Sequence, residues 1–349
     1  MGRTSLTRRG LLGAAAAGGS LLAAPAILRA APASLTFPNS GGALQDAYRA
    51  AYMQTYTAKT GIEVLGAPYM DVAQVKAMVD SGAVNVDMCN LDATEAAVLA
   101  AAGLLEPIDY GIVDRNKLMP GAAGEHVVLV DFAALVIAWN TRSVPAGKAP
   151  KSWQQFFDTK AFPGQRSLWK AASQTLEVAA MGGGQSRDSL YPIDTDRAFK
   201  SLGAVRSDLT WWESGAQGAQ LVLSGTVDFG AVWNGRVFKP KLEGAPVDYT
   251  FDGALLTPDA MVVPKGAKNK KQAMEFIANM IDAANQATFA KIIPYGPVNP
   301  AAFPLLTEEE RARLPNAPAY KDKTVMQDSA YWAANGAKLI ERFNKWLVT

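Results

Sequence analysis

Residues 127–139 are a long apolar run that ends in Asn140-Thr141. They are too few to span a bilayer, which takes about 20 residues as a helix. The run therefore reads as a buried strand, long enough to cross from one half of a molecule to the other. Ahead of it, strand and helix patterns alternate. A strand over 35–37 leads through the turn Pro38-Asn39-Ser40-Gly41-Gly42 into a helix with Leu44, Ala47, Tyr48, Ala51, Tyr52 and Tyr56 on one stripe. Gly61 stands where a helix end favours a left-handed residue, and 62–65 is the next strand. The order repeats with a helix over 71–79 and a strand over 84–91. Asp92-Ala93-Thr94-Glu95 then has capping-box-like spacing at the head of a helix that runs to Gly103. This alternation predicts an α/β fold.

Behind the apolar run, Ser143-Val144-Pro145-Ala146-Gly147-Lys148-Ala149-Pro150 has the composition of a linker. A second α/β set follows: helix 152–157, strand 166–169, helices 196–207 and 216–223, and a strand ending at Trp233. That strand enters Asn234-Gly235-Arg236, which reads as a flexible turn. Thr257-Pro258-Asp259 precedes another apolar strand over 260–263. The pattern predicts one amphipathic helix over 270–291, a capped start at Thr307-Glu308-Glu309-Glu310, and a terminal helix over 331–347.

Of 34 basic residues, four are arginines within the first 33 positions, which hold no acid. The other 30 face 32 acidic residues, a net of −2 that lacks the basic face of a nucleic-acid binder. One cysteine, Cys89, excludes an internal disulfide and reads as a buried thiol. With one histidine, His126, no His/Cys metal cluster can form. No nucleophile elbow or phosphate loop is present, and nothing in the sequence calls for a cofactor. Residues 1–33 read as an export signal. Thr7-Arg8-Arg9-Gly10-Leu11-Leu12 resembles the twin-arginine motif, 11–28 is rich in Ala, Gly and Leu, and Ala31-Pro32-Ala33 offers a cleavage site before Ser34. The alternative is an N-terminal membrane anchor, which the weak hydrophobicity of Ala and Gly disfavours.

Trp233, Arg236 and Asp259 suggest an aromatic floor, a cation and a carboxylate able to hold a small zwitterion at both ends. Each has an ordinary alternative: Trp233 as core and Arg236 on a solvated face. Ser40 and Gly41 precede a helix whose free N–H groups suit an anion, or they simply reverse the chain. Asp92 is an N-cap, yet it stands at the carboxyl end of a strand, where open α/β sheets bind ligands.

Several stretches together resemble the extracellular solute-binding proteins of ABC importers, in the spermidine/putrescine-binding-like group. They are Thr60-Gly61-Ile62-Glu63-Val64, Val136-Ile137-Ala138-Trp139-Asn140-Thr141, Pro150-Lys151-Ser152-Trp153, the segment 225–235, the segment 259–267, and Tyr295-Gly296-Pro297-Val298-Asn299. In order and spacing they cover essentially the whole chain after residue 33. The resemblance implies a two-lobed periplasmic-binding fold of type II with ligand clamped in the inter-lobe cleft. It also implies a periplasmic, monomeric, non-enzymatic protein whose partners are a small-molecule ligand and an inner-membrane permease. The lobes are expected as 34–140 plus 259–305, and 141–258 plus 306–349. In the polyamine binders an aromatic at the Trp233 position boxes the alkyl chain, and a carboxylate at the Asp259 position takes an amine. Trp212, Ser214 and Tyr295 lie in cleft-side segments by the same resemblance.

The departures redirect the ligand. Polyamine binders carry Trp where Thr257 stands, and acids in the loop that here reads Trp169-Lys170-Ala171-Ala172-Ser173-Gln174. They carry a small residue where Arg236 stands. Fewer acids and one new guanidinium shift the preference from a dication toward an ω-amino acid such as γ-aminobutyrate, which some members of the wider family bind, or an amino-phosphonate. A polyamine is the alternative. A secreted enzyme and a chemoreceptor adaptor are the alternatives of other classes.

Overall fold

The computed structural model describes Gly2 and residues 34–349, so the export signal read over 1–33 lies, Gly2 apart, outside the described residues. Strand β1 (Leu35–Asn39) is followed by a continuous helical run made of α1 (Gly42–Tyr48), a π-helical turn (Arg49–Met53) and α2 (Gln54–Thr60). The predicted stripe is its buried face, and Gly61 closes it at φ 75°. β2 (Val64–Pro68) returns parallel to β1. Helix α3 (Val72–Asp80) starts in a full capping box of Asp71 and Gln74. The strand expected over 84–91 is confined to β3 (Cys89–Asp92). Upstream of it, Asp87 takes the Thr36 N–H on its side chain at 2.8 Å in place of a ladder carbonyl. α4 (Ala93–Ala101) is capped by Asp92, which accepts from the Thr94 N–H at 2.8 Å.

The apolar run becomes β4 (Val128–Asn140). Then come α5 (Trp153–Phe157), β5 (Arg166–Trp169), α6 (Ala172–Gly182), α7 (Thr195–Ala204), β6 (Leu209–Trp212), α8 (Gly215–Ser224), β7 (Phe229–Trp233), α9 (Asn234–Leu242) and β8 (Val247–Val262). The helix expected over 270–291 is two, α10 (Lys270–Met280) and α11 (Ala283–Ile292), because Asp282 turns out of the helix and caps the second. The apolar stripe continues across the break, so periodicity does not reveal it. β9 (Gly296–Pro297), α12 (Glu308–Ala312), β10 (Val325–Met326) and α13 (Ser329–Leu347) complete the chain.

The main sheet runs β10-β8-β4-β7-β5-β6, with β3 also on β8 and β9 on β4. Its spine is the antiparallel pair β4–β8, paired from Val128↔Met261 to Asn140↔Val247 with register shifts between Leu129 and Asp131 and between Leu135 and Ile137. Two principal cores form along that spine. One draws on 35–133 and 260–298; the other draws on 135–231, Leu255 and 332–343. The changeover falls after Ala133 on β4 and before Ala260 on β8. Residues 302–317 pack on α11 through Ala302, Leu306, Leu314 and Ala317, next to the first core. Trp332, Leu339 and Phe343 carry α13 into the second core, each burial contributing about 1.5–3 kcal/mol. Among the described residues no helix is long and apolar enough to cross a membrane.

Candidate functional site

Where the spine changes cores, a cavity of about 420 Å³ opens, lined by Ala133, Thr257 and Asp259 together with side chains from both lobes. Ser40, Asp92, Ser214, Trp233, Arg236, Asp259 and Tyr295 all line it. Two expected residues do not. Gly41 faces an adjoining shallow groove with Gln45 and 66–69. Trp212 is 0 % exposed, and its Nε1 donates to the Ala231 carbonyl at 3.1 Å. It is the backing of the site rather than its surface. Trp169 stacks on Trp212 at 5.9 Å, and Trp233 meets Trp212 edge-on at 5.1 Å. The two outer indoles, Trp169 and Trp233, form the aromatic wall. A larger depression of about 950 Å³ between α5, α6 and α7 is open and holds mixed charges, with Arg197 paired to Asp194 at 3.1 Å.

The expected flexible turn at Asn234-Gly235-Arg236 is instead the first turn of α9. Asn234 is buried; its Oδ1 accepts from the Ala134 N–H at 3.0 Å and its Nδ2 donates to the Pro294 carbonyl at 2.8 Å. A Cβ on Gly235 would stand 2.6 Å from the Tyr295 ring, so only glycine fits. This lock aims Arg236 into the cavity. A cation in the first turn of a helix opposes the helix dipole, so stability does not explain the placement. The guanidinium lies against Gly42 and Gly215, the first residues of α1 and α8, and its Nε has no hydrogen-bond partner. Two helix N-termini and a guanidinium therefore meet beside the cavity, a setting for an anion.

The cavity is also acidic, lined by Asp71, Asp92, Glu95, Glu213 and Asp259. Asp259 pairs in register with Asp92 on β3 and with Asp131 on β4. Burial, then the charges of Asp131 and Asp92, push the Asp259 carboxyl well above the usual range, while Arg236 pulls it down. Burial also raises Asp131, to about 7. Glu95 rises to about 7 through burial and the charge of Asp92, offset by a hydrogen bond from Tyr69. Asp92 is raised by burial against hydrogen bonds from Thr94 and Gln174. Gln174 bridges the walls, donating to Asp92 at 3.2 Å and accepting from Trp233 Nε1 at 2.9 Å. Its φ of 68° is a strained conformation for a residue with a side chain.

Tyr69, Asp131, Trp169 and Gln174 escape the sequence reading. Tyr69 follows β2 and Trp169 ends β5, so the rule that ligands bind at the carboxyl ends of parallel strands points to both. Asp131 is a lone acid inside an apolar run, which is itself a signal. Gln174 carries none, since no sequence pattern announces its backbone.

A model of the bacterial extracellular solute-binding protein family matches residues 51–330. The chain is 34 % identical over 334 residues to the gamma-aminobutyric acid-binding protein of Pseudomonas aeruginosa, covering 93 % of this chain and 94 % of that one. It is 22 % identical over 288 residues to the spermidine/putrescine-binding periplasmic protein of Escherichia coli K12, with coverage of 77 % and 81 %. The solved structure of a GABA receptor is similar with a TM-score of 0.83 at 37 % identity, over 90 % of this chain and 97 % of the other.

Proposed function

Because the chain belongs to the bacterial extracellular solute-binding proteins, we propose that it captures an ω-amino acid of the γ-aminobutyrate type outside the cytoplasmic membrane and delivers it to an ABC permease. The observation that carries this reading is the single guanidinium without a partner on its Nε, set in the same cavity as a row of aspartates. Arg236 pairs the ligand carboxylate bidentately, with Ser40 and the starts of α1 and α8 beside it. Asp259 takes the ammonium, and Trp233 and Trp169 flank the methylene chain. Both lobes contribute to the cavity, so ligand that spans it favours the closed form, which the permease would recognise. The likeness to a γ-aminobutyrate binder at higher identity than to a polyamine binder supports the same choice.

Titration calorimetry of the ligand-stripped protein against γ-aminobutyrate and putrescine tests this. The amino acid should bind and Arg236→Ala should abolish that binding with the thermal melt intact. Preference for putrescine would return the site to a polyamine and put Arg236 outside it. Binding of neither would reject the ω-amino-acid reading.

A further inference from the structure

Asp92, Asp259 and Asp131 stand in one row across three neighbouring strands. Directly opposed residues of an antiparallel pair share a face with Cβ atoms about 4.5–5.5 Å apart, and like charges there repel. Plain alternation does not produce this row. Between Leu129 and Asp131 the register shifts by one residue; without that bulge Val130, not Asp131, would oppose Asp259. Asp131 does not line the cavity. It is 1 % exposed and sits behind Asp259.

The groups facing it come from every side. Tyr48 and Tyr52 approach from the first helical run, Tyr295 from the segment before β9, and Asp259 from β8. Beyond Asp259 stand Asp92, Glu95 and Arg236. Tyr48 Oη lies 3.5 Å from Asp131 Oδ2, while Asp131 Oδ1 and the neighbouring Tyr52 hydroxyl have no hydrogen-bond partner. Asp131 and Asp259 oppose each other directly across β4 and β8, and Asp131 forms no ion pair among the described residues.

We infer that Asp131 couples ligand capture to proton release: its carboxyl shares a proton with Asp259, and the cationic end of the ligand displaces that proton to solvent. Before binding, the pair carries one proton and one negative charge. After binding, two carboxylates and one ammonium carry the same net charge, the ligand keeps all its protons, and one proton enters the buffer. Burial raises both carboxyls, and the charges of Asp131 and Asp92 raise Asp259 further, which is the condition for a proton to be held near neutral pH. The exchange makes the site selective for a cation, since a hydroxyl or amide of the same shape cannot replace the proton's charge. Asp131 is thus a positioning residue that sets the charge of Asp259 without touching ligand.

The inference rests on the amine ligand proposed above, and two measurements separate their failures. The first is calorimetry with γ-aminobutyrate at pH 7 in buffers of different ionisation enthalpy. It should give about one-half to one proton released per ligand, with affinity rising between about pH 6 and 8. Asp131→Asn should still bind but release less than about a quarter of a proton, and its affinity should lose most of the pH slope. No buffer dependence in the parent, or unchanged release in Asp131→Asn, overturns the inference; loss of release in Glu95→Gln alone would move the role to Glu95 and overturn it as well. If no amine binds, the ligand reading fails on its own. Carbon-13 titration of the aspartate carboxyls then decides the shared proton. One carboxyl titrating above about pH 6 that disappears in Asp131→Asn sustains it, and titration of every aspartate below about pH 5 overturns it. Should Asp131→Asn fail to fold, assigned parent spectra decide: Asp131 and Asp259 titrating together with a step above about pH 6 sustain the shared proton, and both titrating below about pH 5 overturn it.

Discussion

Glu177 and Asp131 are both buried acids, and burial pushes both to about 7. Their surroundings differ in kind. Glu177, on α6 and 0 % exposed, accepts on Oε1 from Gln327 Nε2 at 2.9 Å, Trp332 Nε1 at 2.5 Å and Tyr191 Oη at 3.2 Å. These donors tie α6 to the start of α13, and Gln327 also holds Ser173, next to the strained Gln174. Asp131 has a second acid where Glu177 has donors. A buried carboxylate oxygen that holds three donors ties elements together and belongs to the scaffold, even though Glu177 Oε2 has no partner. One set against another acid is compensated only by a proton or by a cation brought from outside.

Breaking the cation side should have the largest effect. Asp259→Asn removes the charge opposite the ammonium with little change of shape, so affinity for an ω-amino acid should fall by about 2–5 kcal/mol while the melting temperature holds. An unchanged dissociation constant would remove the ammonium from that place. Glu177→Ala should do the reverse. It strands three buried donors, so urea unfolding should lose about 2–4 kcal/mol, with the dissociation constant moving less than about threefold. A tenfold loss of affinity at unchanged stability would erase the contrast between the two acids.

The pH dependence of stability sharpens it further. Both carboxyls have folded-state values raised above their unfolded ones, so the folded state holds their protons more tightly. Their contribution to stability is intact below about pH 4 and is lost as pH rises toward 7, by up to about 1.4 kcal/mol per pH unit for each group. Melts of the ligand-free protein should therefore fall between pH 5 and pH 8. Asp131→Asn and Glu177→Gln should each flatten part of that fall, and only Asp131→Asn should also alter the pH dependence of binding. The smallest effect belongs to Gln174→Ala, which removes the bridge from Asp92 to Trp233 and should weaken binding by about 1 kcal/mol. Gln174→Gly should lose as much affinity yet melt higher than Gln174→Ala, because it relieves the positive φ. Equal melting of the two would deny the strain.

Much of the architecture is legible before any fold is known, because its causes are local. The strand–helix alternation, the buried tyrosine stripe, the caps at Asp92 and Thr307, and the crossing strand over 127–139 all follow from period and capping chemistry. So do Arg236 and Asp259, both of which line the cavity. The choices the sequence leaves open are made by partners far along the chain. Which tryptophan of 169, 211, 212 and 233 lines the cavity depends on strand order: β6 lies at the sheet edge beyond β5, with Trp212 turned into the core behind Trp169 and Trp233. Arg236 points into the cavity because Ala134 and Pro294 hold Asn234 at the start of α9. Asp131 reaches Asp259 because one extra residue bulges β4. Periodicity determines which side chains share a face; only the packing of distant strands decides which face looks onto the cavity.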